Sequence, residues 1–164
     1  QRRPDRLACL VLDLAMPQID GFDLQRMLAK TGDRLPIVFL TGHGEIPASV
    51  RAMKAGAEDF LTKPVDGDDL VAAVTSALKR CRAQRAEDEE IADLRARLEG
   101  LTPRQKEVFQ YVIAGKMNKN IAAELGTGEQ NVKVHRRRVM RKMGVRSLAE
   151  LVRTAERLGI EPVS

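Results

Sequence analysis

The sequence predicts an α/β half built on a parallel sheet, followed by an all-helical half. Two short and almost continuously apolar runs, 7–14 and 35–41, alternate with helical patterns in the first half. Such runs are typical of parallel strands that are covered on both faces, and their alternation with helices indicates βαβ units. After residue 100 the apolar spacing is helical to the end, with glycines between the segments. This second pattern predicts a small helical domain.

The first half contains three predicted strands, of which the first two are nearly continuous apolar runs. They are 7–14, 35–41 and 57–62. The helices between and after them are predicted at 22–32, 46–56 and 69–81. The first two helices have a glycine near their end, which is a common stop signal, and the third places its apolar residues on one face.

Residues 82–100 differ from what precedes them, because they are highly charged and contain no proline. They predict a linker helix with a short apolar seam at Ile91, Leu94, Leu98 and Leu101. The seam is shorter than the three or four heptads typical of a coiled coil. A solvated helix and a short coiled-coil contact therefore both remain open.

The second half begins with a strong helix signal at Thr102, Pro103 and Gln105. A threonine N-cap, proline at the first helical position and glutamine at the third form a capping box. The predicted helices of this half are 103–114, 118–125, 129–143 and 147–159.

Charge is unevenly distributed along the chain. The first 80 residues balance 11 Lys and Arg against 11 Asp and Glu, whereas residues 101–164 carry 13 against 6. This excess predicts a polyanionic partner for the second half alone. No apolar run reaches the ~20 residues of a membrane span, and no signal peptide is evident. The two distant cysteines, Cys9 and Cys81, indicate a reducing, cytoplasmic environment rather than a disulfide framework.

Each predicted strand ends at a side chain that can handle a phosphoryl group. Asp13 ends the first strand, Thr41 the second, and Lys63 follows the third. Ligands of open parallel sheets gather beyond the carboxyl ends of the strands. A carboxylate can accept a phosphoryl group, and a lysine can neutralise its charge. We therefore expect a phosphoryl-accepting site at this edge.

The predicted helix 129–143 has an apolar side and a cationic side. Its apolar side carries Val132, His135, Val139 and Met143. Its other side carries Lys133, Val134, Arg137, Arg138 and Arg141. A helix with these two sides, entered through a short turn, is typical of one that binds in the DNA major groove.

The motifs of the first half, "VLDLAMPQIDG", "LTGHG" and "AEDFLTKP", resemble the receiver domain of bacterial two-component response regulators of the NarL/FixJ group. The resemblance implies a flavodoxin-like parallel sheet. It also implies that Asp13 is the phosphoacceptor and a Mg²⁺ ligand, that Thr41 is the switch hydroxyl and that Lys63 pairs with the phosphate. A cis peptide is expected before Pro64, and Phe60 occupies the aromatic switch position.

The second half resembles the LuxR-type helix-turn-helix domain over essentially its whole length, from "LTPRQKEVFQ" to "SLAELVR". The resemblance implies a four-helix domain whose third helix enters the major groove. By the same resemblance Lys133, Val134 and Arg137 face bases. The expected phosphate contacts are Lys119, Arg138, Arg141 and Lys142.

The predicted organisation is a partial receiver domain at 1–81, a linker helix at 82–100 and a helix-turn-helix domain at 101–164. Receivers of this family have five strands, and an acidic pair after the first strand helps to bind Mg²⁺. Only three strands and no such pair are predicted here. We therefore expect a fragment of a longer regulator, with an incomplete Mg²⁺ site.

The resemblance implies a transcriptional regulator that a sensor histidine kinase phosphorylates at Asp13. Its expected partners are double-stranded DNA, a second copy of the phosphorylated chain and RNA polymerase. The alternative is a fragment that binds DNA constitutively because its receiver cannot be phosphorylated. We do not expect an enzyme, because aspartyl phosphatases commonly carry a second aspartate two residues after the first, where Ala15 stands.

Overall fold

The computed structural model describes residues 7–16, 20–30, 35–42 and 56–163. The chain divides into two compact units, Gln1–Ala86 and Glu87–Ser164. The strands are β1 (Leu10–Asp13), β2 (Ile37–Thr41) and β3 (Asp59–Thr62). The helices are α1 (Gly21–Lys30), α2 (Gly67–Glu99), α3 (Pro103–Ile113), α4 (Asn118–Glu124), α5 (Glu129–Met143) and α6 (Leu148–Arg157). None of the helices described here is long and apolar enough to cross a membrane.

The three strands form a parallel sheet in the order β1-β2-β3, as the sequence predicts. The middle strand is covered on both faces. Phe39 packs with Leu12 and with Phe22 of α1, whereas Val38 packs on the other face with residues of α2. Val38 and Phe39 are both fully buried. This double burial explains why the strand is a continuous apolar run rather than an alternating one.

Helix α1 begins directly against the tip of β1. Asp20 accepts a hydrogen bond from the Phe22 amide at 3.1 Å, and Gly21 follows it as the first helical residue. A Cβ at Gly21 would lie 3.0 Å from the Asp13 carbonyl oxygen and 3.0 Å from the Phe39 ring. Glycine is therefore needed for this close approach. The predicted helix 46–56 lies outside the described residues, apart from Gly56.

Helix α2 is continuous over 33 residues and includes both the predicted helix 69–81 and the predicted linker helix 82–100. Neither glycine nor proline occurs from Asp68 to Glu99, and good helix formers dominate the charged part. The boundary between the compact units falls within this helix, after Ala86. Its last part therefore belongs to the same unit as the four helices that follow.

The second unit has one apolar core, and its helices lie within two residues of their predicted bounds. The core includes Leu101, Val108, Phe109, Val112, Ile121, Val132, Val139, Met143 and Leu151. The capping box of α3 is confirmed, since the Thr102 hydroxyl accepts from the Gln105 amide at 3.3 Å and Gln105 Oε1 accepts from the Thr102 amide at 3.1 Å. Glutamine thus completes the box as glutamate would.

Candidate functional sites

The carboxyl ends of the three strands bring Asp13 and Lys63 into contact. Asp13 is the last residue of β1, and Lys63 comes directly after β3. Lys63 Nζ donates a hydrogen bond to Asp13 Oδ2, and the two side chains form an ion pair. The peptide bond between Lys63 and Pro64 is cis. The structure therefore places together the carboxylate and the ammonium that the sequence singles out.

The contacts of Asp13 stabilise its ionised form. The hydrogen bond from Lys63 is the main cause that holds the pKa of Asp13 below its ordinary value of 3.8. The Ala15 amide donates to Asp13 Oδ1 at 3.2 Å and lowers the pKa further, while partial desolvation opposes both. The Asp13 side chain remains 33% exposed. Asp13 is consequently an anionic carboxylate at neutral pH that a reagent from solution can reach.

Thr41 and Phe60 occupy the neighbouring strands. Thr41 ends β2, is only 3% exposed and donates its hydroxyl hydrogen to the Gly42 carbonyl at 3.0 Å. Phe60 lies beside Phe39 in the sheet register and packs, partly buried, against the core that contains Leu12. Thr41 therefore lies at the tip of the strand between β1 and β3, and Phe60 lies inside β3, two residues before its end.

The described residues do not fit a Mg²⁺ site at Asp13. Both carboxylate oxygens of Asp13 already accept hydrogen bonds, from Ala15 and Lys63. In the part of the chain that the structure describes, no group of three or more His, Cys, Asp and Glu side chains could hold a metal. Mg²⁺ requires a near-octahedral set of oxygen ligands, which one carboxylate does not supply.

The helix α5 has the two sides that its sequence predicts. Val132, Val139 and Met143 are buried in the core of the second unit. The residues exposed on the other side are Lys133, Val134, Arg137, Arg138, Arg141 and Lys142. Lys119, on α4, is also exposed. All the predicted DNA contacts, on α4 and α5, are therefore accessible to solvent.

These basic side chains differ in what they contact. Lys133 pairs with Glu129 one turn earlier, with 3.2 Å between Nζ and Oε1, and Lys142 donates to the Gly100 carbonyl at 2.7 Å. Arg136, which the sequence places near the apolar side, is partly buried and donates to Asn118 Oδ1 at 3.2 Å. Among the described residues, none forms an ion pair with Arg137, Arg138 or Arg141. The charges of these three exposed arginines are therefore not neutralised by a carboxylate of the described residues.

Sequence reasoning missed two sets of contacts on α5. The pair of Glu129 and Lys133 has the i,i+4 spacing of a helical ion pair, so the signal was present in the sequence. The hydrogen bond from Arg97 to the Met143 carbonyl joins residues 46 positions apart, and no local pattern encodes it.

Two family models match the chain, one in each half. The response regulator receiver domain matches residues 2–75, and the luxR family of bacterial regulatory proteins matches residues 99–155. These matches agree with the parallel sheet and the helical unit described above. They also assign each candidate site to its own domain.

Individual relatives span both halves. The chain is 48% identical to Nodulation protein W of Bradyrhizobium diazoefficiens over 96% of its own length and 69% of that protein's. It is 47% identical to Response regulator protein TmoT of Ectopseudomonas mendocina, over 92% and 68%. It is 40% identical to Transcriptional regulatory protein FixJ of B. diazoefficiens, over 93% and 74%.

Among solved structures, that of the response regulator StyR matches with a TM-score of 0.80 and 47% identity. The match covers 94% of this chain and 78% of that one. The chain therefore belongs to the NarL/FixJ-type response regulators, transcriptional regulators that combine a receiver domain with a LuxR-type helix-turn-helix DNA-binding domain.

Proposed function

We propose that this chain binds double-stranded DNA and that phosphorylation of Asp13 by a sensor histidine kinase controls the binding. The observation that carries the proposal is the pairing of Lys63 with Asp13 at the edge of the sheet. An exposed, ionised carboxylate with a cation beside it is suited to receive a phosphoryl group. The protein acts in this scheme by binding rather than by turning over a substrate.

The proposed transfer uses a phosphohistidine of the kinase as donor. A carboxylate oxygen of Asp13 attacks phosphorus, the bond between phosphorus and the histidine nitrogen breaks, and that nitrogen keeps the electron pair. The product is an acyl phosphate on Asp13. The Lys63 ammonium neutralises part of the charge of this acyl phosphate. In doing so it exchanges its contact with the Asp13 carboxylate for contacts with the phosphoryl oxygens. Thr41 is proposed as a further hydrogen-bond donor and Phe60 as the residue that transmits the change.

The proposed DNA contact uses the exposed side of α5. Lys133, Val134 and Arg137 are assigned to base edges. Lys119, Arg138, Arg141 and Lys142 are assigned to phosphates. The proposal is supported by their exposure and by the net charge of +7 over residues 101–164. Phosphate contacts set the register and base contacts set the sequence preference.

The further proposed partners are a second copy of the phosphorylated chain, bound to the other half of a palindrome, and RNA polymerase. The proposed location is the bacterial cytoplasm, where the chromosome lies.

A second candidate function is constitutive DNA binding without phosphate control. The observation that favours it is the lone carboxylate at the strand tips, which does not fit a Mg²⁺ site within the described residues. The two candidates predict different responses to a phosphoryl donor.

The test is selection of DNA duplexes on the full chain, followed by affinity measurements with and without acetyl phosphate and Mg²⁺. The matched pair is Asp13→Asn and Asp23→Asn, since Asp23 is also an exposed carboxylate paired with a basic side chain. Phosphate control predicts that the donor adds one phosphoryl mass and strengthens binding in the unmodified chain and in Asp23→Asn, but not in Asp13→Asn. Equal binding with and without donor supports the constitutive alternative. No salt-dependent binding at all overturns both.

A further inference from the structure

We infer that Arg97, on the last turn of α2, is a positioning residue for α5, the helix proposed to enter the major groove. This inference rests on the proposed DNA contact of α5 and extends it to a residue outside the four-helix domain. Arg97, α5 and their connection all lie in the second compact unit.

Arg97 contacts the C-terminal end of α5. Its Nη1 donates a hydrogen bond to the Met143 carbonyl at 3.2 Å. The last carbonyls of a helix have no hydrogen-bond partner within the helix and carry partial negative charge. A guanidinium at this end therefore supplies the missing donor and also interacts favourably with the helix dipole.

The residue after α5 leaves room for this guanidinium. Gly144 ends the helix in the left-handed conformation, with φ 72° and ψ 25°. A Cβ built on Gly144 would collide with Arg97 Nη1 and would lie 3.3 Å from its Cζ. Gly144 is thus required both for the turn and for the approach of Arg97.

Arg97 is itself held in position. Its Nη2 pairs with Asp93 Oδ2 at 2.8 Å, one turn earlier on the same helix. The guanidinium therefore bridges a carboxylate of α2 and a carbonyl of α5. The ion pair with Asp93 restricts the side-chain rotamers of Arg97. It therefore lowers the conformational entropy that is lost when Arg97 binds the Met143 carbonyl.

The contact is reciprocal. Lys142, from the last turn of α5, donates to the Gly100 carbonyl directly after α2. Each helix therefore has its C-terminal end capped by a basic side chain of the other. Two further contacts join the last part of α2 to the helices that follow it. Leu98 packs against the core that includes Leu101, and Arg157 of α6 donates to both carboxylate oxygens of Glu90 at 2.8 Å.

The consequence concerns the last turn of α5, which carries two of the proposed phosphate contacts, Arg141 and Lys142. If the Met143 carbonyl loses its partner, this turn frays more readily, and the backbone that presents Arg141 and Lys142 is less well fixed. Lys142 donates to the Gly100 carbonyl in this structure and would exchange that contact for a phosphate on binding. Arg97 thus acts through α5 and need not touch DNA.

The experiment compares three variants of the full chain. Arg97→Met keeps much of the aliphatic stem and removes the donors, Arg97→Lys keeps a cation that can donate, and Arg95→Met removes the same charge from an exposed residue two positions away. The probe is a short random-sequence DNA duplex, titrated at several salt concentrations. Amide hydrogen exchange is measured at Gly144 and Val145, whose amides bond to the last turn of α5.

We expect Arg97→Met to bind the duplex about 3- to 10-fold more weakly than Arg95→Met. This is less than the full effect of losing one charge-assisted hydrogen bond, because Arg97 acts on DNA only through the last turn of α5. Its log–log salt slope should fall by more than that of Arg95→Met, and the amides of Gly144 and Val145 should exchange faster. Arg97→Lys should recover most of the affinity, the slope and the protection.

Equal behaviour of Arg97→Met and Arg95→Met overturns the inference. Faster exchange with unchanged DNA affinity also overturns it, since Arg97 would then be only structural. If the unmodified chain itself fails to bind the duplex, the proposed function fails instead, and with it the role of Arg97 in DNA binding. The two kinds of failure are distinguishable. Failure of the Arg97 inference is observed only when the unmodified chain binds the duplex, whereas failure of the proposed function means that it does not.

Discussion

Lys63 reaches Asp13 across the tip of an intervening strand. The sheet order is β1-β2-β3, so the strand that ends at Asp13 and the strand that precedes Lys63 are not neighbours. Two strand spacings amount to roughly 9–10 Å, which only a long side chain can span. The length of lysine thus allows the ion pair to form over the end of β2.

The first prediction concerns the pKa of Asp13. Since the hydrogen bond from Lys63 is the largest cause of its lowered pKa, Lys63→Met should raise that pKa toward the ordinary 3.8. The measurement is a carboxyl carbon NMR titration of both proteins, with Lys106→Met, an exposed lysine of α3, as control. An unchanged Asp13 titration in Lys63→Met would show that the pair does not persist in solution.

The sign of the pH effect follows from the direction of this shift. A carboxylate with a lowered folded-state pKa stabilises the fold above its unfolded pKa, and the stabilisation is lost as the pH falls through the folded value. The loss should therefore occur on the acid side of pH 3.8 and be weaker in Lys63→Met than in the unmodified chain.

The second prediction concerns the salt dependence of DNA binding. Arg138→Ala should reduce the log–log slope of affinity against salt by about 0.9, as loss of one phosphate contact does. Arg153→Ala removes an equal, exposed charge from α6 and serves as the matched control. Equal slopes for the two variants would argue against Arg138 as a phosphate contact.

The third prediction concerns the ion pair between Glu129 and Lys133. In the proposed complex, DNA draws Lys133 Nζ away from Glu129 Oε1, which lies 3.2 Å from it, and also approaches the Glu129 carboxylate. Glu129→Gln should therefore strengthen binding to a random duplex by about 2- to 3-fold, in line with the small energies of exposed pairs. Glu107→Gln, which breaks the pair with Arg104 on α3, should leave it unchanged. Weaker binding in Glu129→Gln would contradict this assignment.

The fourth prediction concerns the N-cap of α5. Gly128 is extended, its Cβ position is open and, being glycine, it has no side chain to cap the N-terminus of α5. Gly128→Ser should raise the free energy of unfolding by a few tenths of a kcal/mol, whereas Gly128→Ala should lower it. The protein has one tyrosine, Tyr111, and no tryptophan, so tyrosine fluorescence during urea unfolding reports on the helical unit. If both substitutions change the free energy of unfolding in the same direction, N-capping is not the cause of the change.

The fifth prediction concerns the last part of α2. Leu98 is partly buried against the core of the second unit, so Leu98→Ala should lower the free energy of unfolding by about 1–2 kcal/mol, less than for a fully buried leucine. Tyr111 fluorescence in urea provides the measurement. Val71→Ala, at a residue 65% exposed in the first unit, should leave this transition in place. If Leu98→Ala also leaves the urea transition of Tyr111 fluorescence unchanged, Leu98 does not stabilise the helical core.

The spacing of Leu94, Leu98 and Leu101 does not predict which surface these residues pack against. This spacing fits a solvated helix and a coiled coil equally well. In the structure Leu98 and Leu101 pack on the core of the second unit, and Leu94 is only 9% exposed. Spacing shows which side of a helix is apolar, whereas the partner of that side depends on the other helices of the fold.

Among the residues that the structure describes, the sequence by itself determined the strands, the helices and most of their ends, because local periodicity and capping are properties of neighbouring residues. It also determined that Asp13, Thr41 and Lys63 stand at the carboxyl ends of strands and that α5 is cationic on one side. Only the tertiary structure decided that Lys63 meets Asp13 across β2 and that Arg97 caps α5. These contacts join residues 50 and 46 positions apart, and they form only when the sheet order and the helix packing bring the two elements together.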